Sequence, residues 1–380
     1  MPAATSAPSP SAPQVPFWPF SPEAASPFAL PLPPDFQGFI DRMGMLPKVQ
    51  QIAQAAAKGA TPYDVVWKLG SVSLRRYQSK VDRKHATPLL CVFALVNRPY
   101  VLDLLPHKSV LRQFLDRGFD VYLVDWGIPG PSDASKTLSD YIDGDLHAIV
   151  KHVLKSTGQK QLSMLGYCMG GTMSSMYISR HQDLVKNFIL MAAPIDWSDR
   201  SSLLSVWTDP KYFDVDALVD AVKIIPPDYL GSSFKMLRPV DNYVNKYIGF
   251  YEKMTDEKFL EEFFAMETWS NDNIPISGEV YRDIVKYGFQ QNLLVKGQFP
   301  LGGRKVNLGN ITCPVLNLIA DADHLVPCGL STPFKDCISS SDYTLLSVKA
   351  GHIGLAVGSR AHKELWPQAV AWLEHRSLPL

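Results

Sequence analysis

A chain of 380 residues with 46% hydrophobic content can build one large globular core carrying an insertion. Lysine plus arginine equals aspartate plus glutamate at 37 each, which offers no basic field to nucleic acid and no acidic tail to a basic partner. Five cysteines, at 91, 168, 313, 328 and 337, lack C-x-x-C spacing, which argues against a disulfide framework or a zinc site and points to a reducing cytoplasm.

In chain order, residues 1–35 are rich in proline, alanine and serine and hold no lysine or arginine, the composition of a disordered arm. Within it, "PFWPF" (16–20) and "SPFALPLPP" (26–34) carry side chains suited to docking on a partner or an apolar surface. The start shows no signal-peptide pattern, and apolar runs such as 89–96 and 188–195 are too short to span a membrane. A helical segment over 36–66 follows, and Pro47 predicts that it divides into one or two short helices.

Residues 67–194 read as the first part of an α/β core: continuous apolar strands at 88–96, 119–126, 161–168 and 185–194, with helices at 108–118 and 138–158 between them. Residues 195–300 break that rhythm with aromatic-rich helical stretches and predict a helical cap inserted over the catalytic edge of the sheet. The core resumes over 301–380 with strands at 314–321 and 343–350. The result is a mainly parallel sheet, buried on both sides and covered by helices on both faces.

The stretch "MLGYCMGGTM" (164–173) carries a G-x-C-x-G frame where a strand runs into a helix. This is the setting of a nucleophile elbow, with Cys168 where serine is familiar and Gly166 and Gly170 allowing close approach of strand and helix. A helix beginning just after Cys168 favours its thiolate. Downstream, "LIADADHLVPCG" (318–329) places Asp321, Asp323 and His324 after one strand, and "VKAGHIGLAVG" (348–358) places His352 after the next. Nucleophile, acid and histidine in that order reproduce the α/β-hydrolase arrangement. Asp321 competes with Asp323 for the acid, and His324 is a secondary candidate. Asp125 and Trp126 fit turn and packing roles better than catalysis. "PLGGRKVNLG" (300–309) lacks phosphate-loop spacing, and no residues cluster to bind a metal.

Taken together, "ALVNRPYVLDL", "DVYLVDWG", "GYCMGG", "FFAMETW", "GGRKVNLGNITCPVLN", "DHLVP" and "AGHIG" resemble the catalytic subunit of polyhydroxyalkanoate synthases, most closely the two-subunit class III type, from about residue 60 to the end. Met169 departs from the glutamine expected after the cysteine in that class. The resemblance implies that Cys168 is the acylated nucleophile, His352 its base and Asp323 the acid. The fold implies an oxyanion hole from the backbone N–H of Met169 and one from the "LVNRP" loop, Val96 or Asn97.

The expected reaction polymerises 3-hydroxyacyl-coenzyme A, short-chain units such as 3-hydroxybutyryl-coenzyme A, into polyester with coenzyme A release. No cofactor is expected, since the coenzyme A thioester is the substrate. Expected partners are the growing polyester and its granule surface, a second non-catalytic synthase subunit, and further copies of the chain in a homo-oligomer. The expected location is the cytoplasm, on polyester granules. Two other readings compete: a thioesterase or intracellular depolymerase on the same fold, and a non-catalytic scaffold that binds granules.

Overall fold

The structure, a computed structural model, describes residues 36–380 apart from residue 57, and the proline-rich arm of 1–35 lies outside the described residues. Eight strands form the central sheet: β1 (Tyr63–Leu69), β2 (Val72–Tyr77), β3 (Leu89–Val92), β4 (Val121–Asp125), β5 (Leu162–Tyr167), β6 (Val185–Met191), β7 (Val315–Ala320) and β8 (Tyr343–Val348). Their spatial order is β1-β2-β4-β3-β5-β6-β7-β8. Strand β2 runs antiparallel to both neighbours, and the remaining pairs are parallel.

Helices α1 (Phe36–Ala55), α2 (Val110–Leu115), α3 (His147–Thr157) and α4 (Met169–Ile178) precede or connect the first six strands. Between β6 and β7 stand α5 (Leu203–Trp207), α6 (Val215–Val222), α7 (Pro227–Met236), α8 (Lys246–Lys253), α9 (Glu257–Asn271) and α10 (Gly278–Asp283). Local chemistry sets their ends. Ser109 caps α2 by accepting from Arg112 N–H, Asp214 caps α6 through Ala217 N–H, and Asp256 caps α9 through Lys258 and Phe259 N–H. Helix α3 stops at Gly158, which takes the left-handed conformation with φ 69°.

Strands β3, β4, β5 and β7 are buried along their whole length, which is why their sequences are continuously apolar rather than alternating. The edge strand β8 departs from that expectation: Leu345, 44% exposed, and Ser347 share one open face, while Val348 on the opposite face is buried. Strands β1 and β2 have no counterpart among the predicted strands. β1 is the opposite edge, with Tyr63, Asp64 and Val65 exposed, so its sequence carries no burial pattern, and it begins inside the stretch read as helical.

Pro47 does not divide the first helix: α1 runs through it. A proline withholds one hydrogen bond from the carbonyl four residues back, here that of Met43. The helix packs along α9, with Lys48, next to Pro47, paired to Glu257 at 3.1 Å.

Candidate active site

The site grows from the turn between β5 and α4. Cys168 sits there with φ 55° and ψ −131°, a strained conformation for a residue with a side chain. Two contacts hold it: its N–H donates to Met191 O (2.9 Å), and its carbonyl accepts from Gly171 N–H (2.8 Å). The turn closes only because its neighbours are glycines. A Cβ on Gly166 would lie 2.5 Å from Gly171 Cα, and one on Gly170 would lie 2.3 Å from Val92 O. Cys168 is thus presented at the end of the sheet, at the N-terminus of a ten-residue helix whose first N–H groups lack helical partners.

Two loops bring the other groups to it. After β7, Asp323 is 7% exposed; its Oδ1 accepts from Leu325 N–H (2.9 Å) and Val326 N–H (2.8 Å), and its Oδ2 lies 2.7 Å from His352 Nδ1. That contact leaves Nε2 of His352 free of Asp323, and His352 and Cys168 line the same cavity. Burial alone would lower the basicity of His352. The charges of Cys168 and Asp323, with the hydrogen bond to Asp323, outweigh it, and the pKa is raised to about 10. All five cysteines are free thiols. Burial pushes the thiol of Cys313 up to about 11 and raises those of Cys91, Cys328 and Cys337 as well.

Between the two acid candidates the geometry discriminates: Asp321 is exposed, whereas Asp323 is buried against His352. His324 is exposed at the rim, with its pKa lowered by partial desolvation. Met169, Val96 and Asn97 all border the cavity above Cys168. The side-chain amide of Asn97 donates through Nδ2 to Asn273 Oδ1 at 2.8 Å.

Asp125 and Trp126 are structural. Asp125 pairs with Arg75 and accepts from Gly127 N–H (3.0 Å), while Trp126 donates to Phe93 O (2.8 Å) behind the elbow. Gly302 and Gly303 form the turn of a hairpin that pairs Pro300–Leu301 with Arg304–Lys305. No group of three or more His, Cys, Asp or Glu able to hold a metal occurs among the described residues.

The cavity above Cys168 measures about 630 Å³. Its floor comes from the core (Phe93, Tyr167) and its walls from the helices between β6 and β7 (Trp207, Phe234, Trp269, Tyr281). Those helices are tied to the loop after β3: Trp269 donates to Arg98 O (2.8 Å), and Tyr100 O–H donates to Asp272 (3.1 Å). These ties, and the stacking of Tyr167 on His352 described below, had no counterpart in the sequence reading. The one available signal was the position of Tyr167 beside the nucleophile.

Comparison with known proteins decides the family. The profile of the alpha/beta hydrolase fold matches residues 102–359, and that of the poly-beta-hydroxybutyrate polymerase (PhaC) N-terminus matches residues 50–114. The poly(3-hydroxyalkanoate) polymerase subunit PhaC of Allochromatium vinosum is 38% identical, covering 85% of this chain and 91% of its own. The protein of the same description from Synechocystis sp. is 39% identical, covering 84% and 85%. That from Haloferax mediterranei is 38% identical, covering 89% and 69%.

The chain belongs to the poly(3-hydroxyalkanoate) polymerase (PhaC) family. It is thereby an acyltransferase on an α/β-hydrolase fold. A crystal structure from Sulfolobus solfataricus agrees in fold, with TM-score 0.52 at 14% identity, covering 83% of this chain and 99% of its own. No helix among the described residues is long and apolar enough to cross a membrane.

Proposed function

We propose that this polymerase joins 3-hydroxyacyl units from coenzyme A thioesters, short-chain units such as 3-hydroxybutyryl-coenzyme A, into polyester through an acyl-Cys168 intermediate. One observation carries the reading: His352, held by Asp323 at 2.7 Å, and Cys168 line the same aromatic-walled cavity.

In the first half-reaction His352 Nε2 takes the thiol proton and the Cys168 thiolate attacks the thioester carbonyl. The oxyanion is held by Met169 N–H at the start of α4 and by the N–H of Val96 or Asn97. The intermediate collapses by breaking the bond to coenzyme A sulfur, which leaves as the thiol with the proton from His352. In the second, the 3-hydroxyl of the next unit gives its proton to His352, its oxygen attacks the acyl carbon, and Cys168 departs and recovers the proton. Asp323 orients the imidazole and stabilises its charged form in both halves.

Thiol chemistry suits a chain passed on repeatedly. Exchange of one thioester for another is nearly balanced in energy, whereas an ester on serine would sit lower and pass its acyl group on more slowly. The apolar walls favour an acyl chain over water, which supports transfer to a hydroxyl rather than hydrolysis. No cofactor enters the scheme. The word subunit in the relatives' description supports a second, non-catalytic subunit as partner. Self-association and attachment to polyester granules in the cytoplasm belong to the same reading.

The test is coenzyme A release from 3-hydroxybutyryl-coenzyme A, with and without a candidate second subunit, beside Cys168→Ala. Release that requires Cys168 and deposits insoluble polyester is the expected result. Release yielding only free 3-hydroxybutyrate would make the chain a thioesterase, and no turnover even with the partner would leave a scaffold.

A further inference from the structure

Tyr167 is the last residue of β5 and immediately precedes the nucleophile. Only 1% exposed, its ring lies between Phe93, with centroids 5.5 Å apart and planes tilted by 49°, and His352, with centroids 5.1 Å apart and planes 22° from parallel. The hydroxyl donates to the main-chain carbonyl oxygen of His352 at 3.2 Å. An aliphatic side chain would fill a core position without needing a partner for a buried hydroxyl. Tyrosine instead touches His352 twice, the hydroxyl fixing the backbone of its loop and the ring fixing the plane of its imidazole.

We propose that Tyr167 is a positioning residue that holds His352 in the plane facing Cys168 and, by presenting its ring face, favours the imidazolium form. The proposal rests on the assignment of His352 as the base for Cys168. When the S–H bond of Cys168 breaks and the proton moves to Nε2, a positive charge appears 5.1 Å from the Tyr167 ring centroid. An aromatic face attracts a cation more than a neutral ring, so the stack stabilises the thiolate–imidazolium pair relative to thiol and imidazole.

The titratable groups facing His352 are Cys168 from the turn before α4, Asp323 and His324 from the loop after β7, and Tyr167 itself. Asp323 acts in the same direction as the ring; His324, when protonated, acts against it. Burial, with the nearby charges of Cys168 and Asp323, raises the Tyr167 hydroxyl well above its ordinary range, so it stays a neutral donor.

The experiment is the pH dependence of Cys168 alkylation by iodoacetamide, read on the Cys168 peptide by mass spectrometry, in the full chain and in Tyr167→Phe, Tyr167→Leu and His352→Gln. Tyr167→Leu is expected to move the midpoint for thiolate formation upward by roughly half to one and a half pH units. Its coenzyme A release should fall in kcat with little change in KM. Tyr167→Phe keeps the π face, so its midpoint should stay at the wild-type value while kcat falls severalfold as the carbonyl of His352 loses its donor. Should the leucine variant fail to fold, Tyr167→Met fills the space without a π face and is read in the same way. A midpoint unmoved in Tyr167→Leu or Tyr167→Met but moved in His352→Gln would overturn the proposal and leave His352 as the base. A midpoint unmoved in His352→Gln as well would overturn both.

Discussion

The buried half of the sheet and the helices between β6 and β7 are both rich in apolar residues, but they place them differently. Strands β3, β4, β5 and β7 bury every side chain. The helical stretch ending in α8 turns Val240, Tyr243, Val244, Tyr247, Ile248 and Tyr251 outward, with 47 to 61% of each exposed. In the sheet, packing presses on a residue from all sides, so its identity is fixed and the sequence shows it. In the helices one side walls the cavity and the other faces outward, so apolar content marks a helix without saying which side does which.

That contrast can be broken at several places. The largest effect is expected at the proposed base: if His352 takes the Cys168 proton, His352→Gln should lower coenzyme A release by on the order of 10³-fold or more with the fold intact. Near-normal turnover would remove the elbow from the account. Next comes Gly170→Ala. A Cβ 2.3 Å from Val92 O has no room, and a loss of about 3 kcal/mol or more in denaturant unfolding is expected. If that alanine is tolerated, the close packing of the elbow is not what fixes Cys168.

A smaller effect is expected at Asp283 in α10. Burial, the first cause, pushes its carboxyl up to about 6, with Glu279 adding to the rise and Leu138 N–H opposing it. The folded state therefore holds the proton more tightly than the unfolded chain, whose value is 3.8. The stability this gives is fully present below 3.8 and lost as pH rises through about 6. Asp283→Asn should stabilise the chain at pH 8 by on the order of 1–2 kcal/mol and bring no such gain at pH 4. Equal melting shifts at both pH values would show that the carboxyl titrates normally. The smallest effect is expected on the outward side: Tyr247→Ser should change the stability of the isolated chain by less than about 0.5 kcal/mol. A larger loss would mean that Tyr247 packs within the chain rather than facing outward.

The same contrast explains what the sequence revealed. Cys168, Asp323 and His352 were legible because each follows a fully or largely apolar strand, and the elbow's glycines carry a steric requirement no other residue meets. Asp323 could be preferred to Asp321 only through family resemblance, since both follow β7; burial and the contact with His352 separate them in three dimensions. Strand β1 escaped because, as an exposed edge, it carries no burial pattern, and β2, "VSLRRY", because its two arginines break any continuous apolar run although most of the strand is buried. The continuity of α1 through Pro47 depends on its contact with α9, some 200 residues away in the chain, which local propensity does not contain. Tyr167 lies within the motif, yet its stacking on His352 joins residues from β5 and from the loop after β8, a pairing that no spacing rule encodes.

The most direct test of the central claim is mass spectrometry of the chain quenched with acid during turnover of 3-hydroxybutyryl-coenzyme A. The account predicts 3-hydroxybutyryl groups, single or in short esters, on the peptide containing Cys168, and none in Cys168→Ala. Acylation on any other residue, or coenzyme A release persisting in Cys168→Ala, would contradict it.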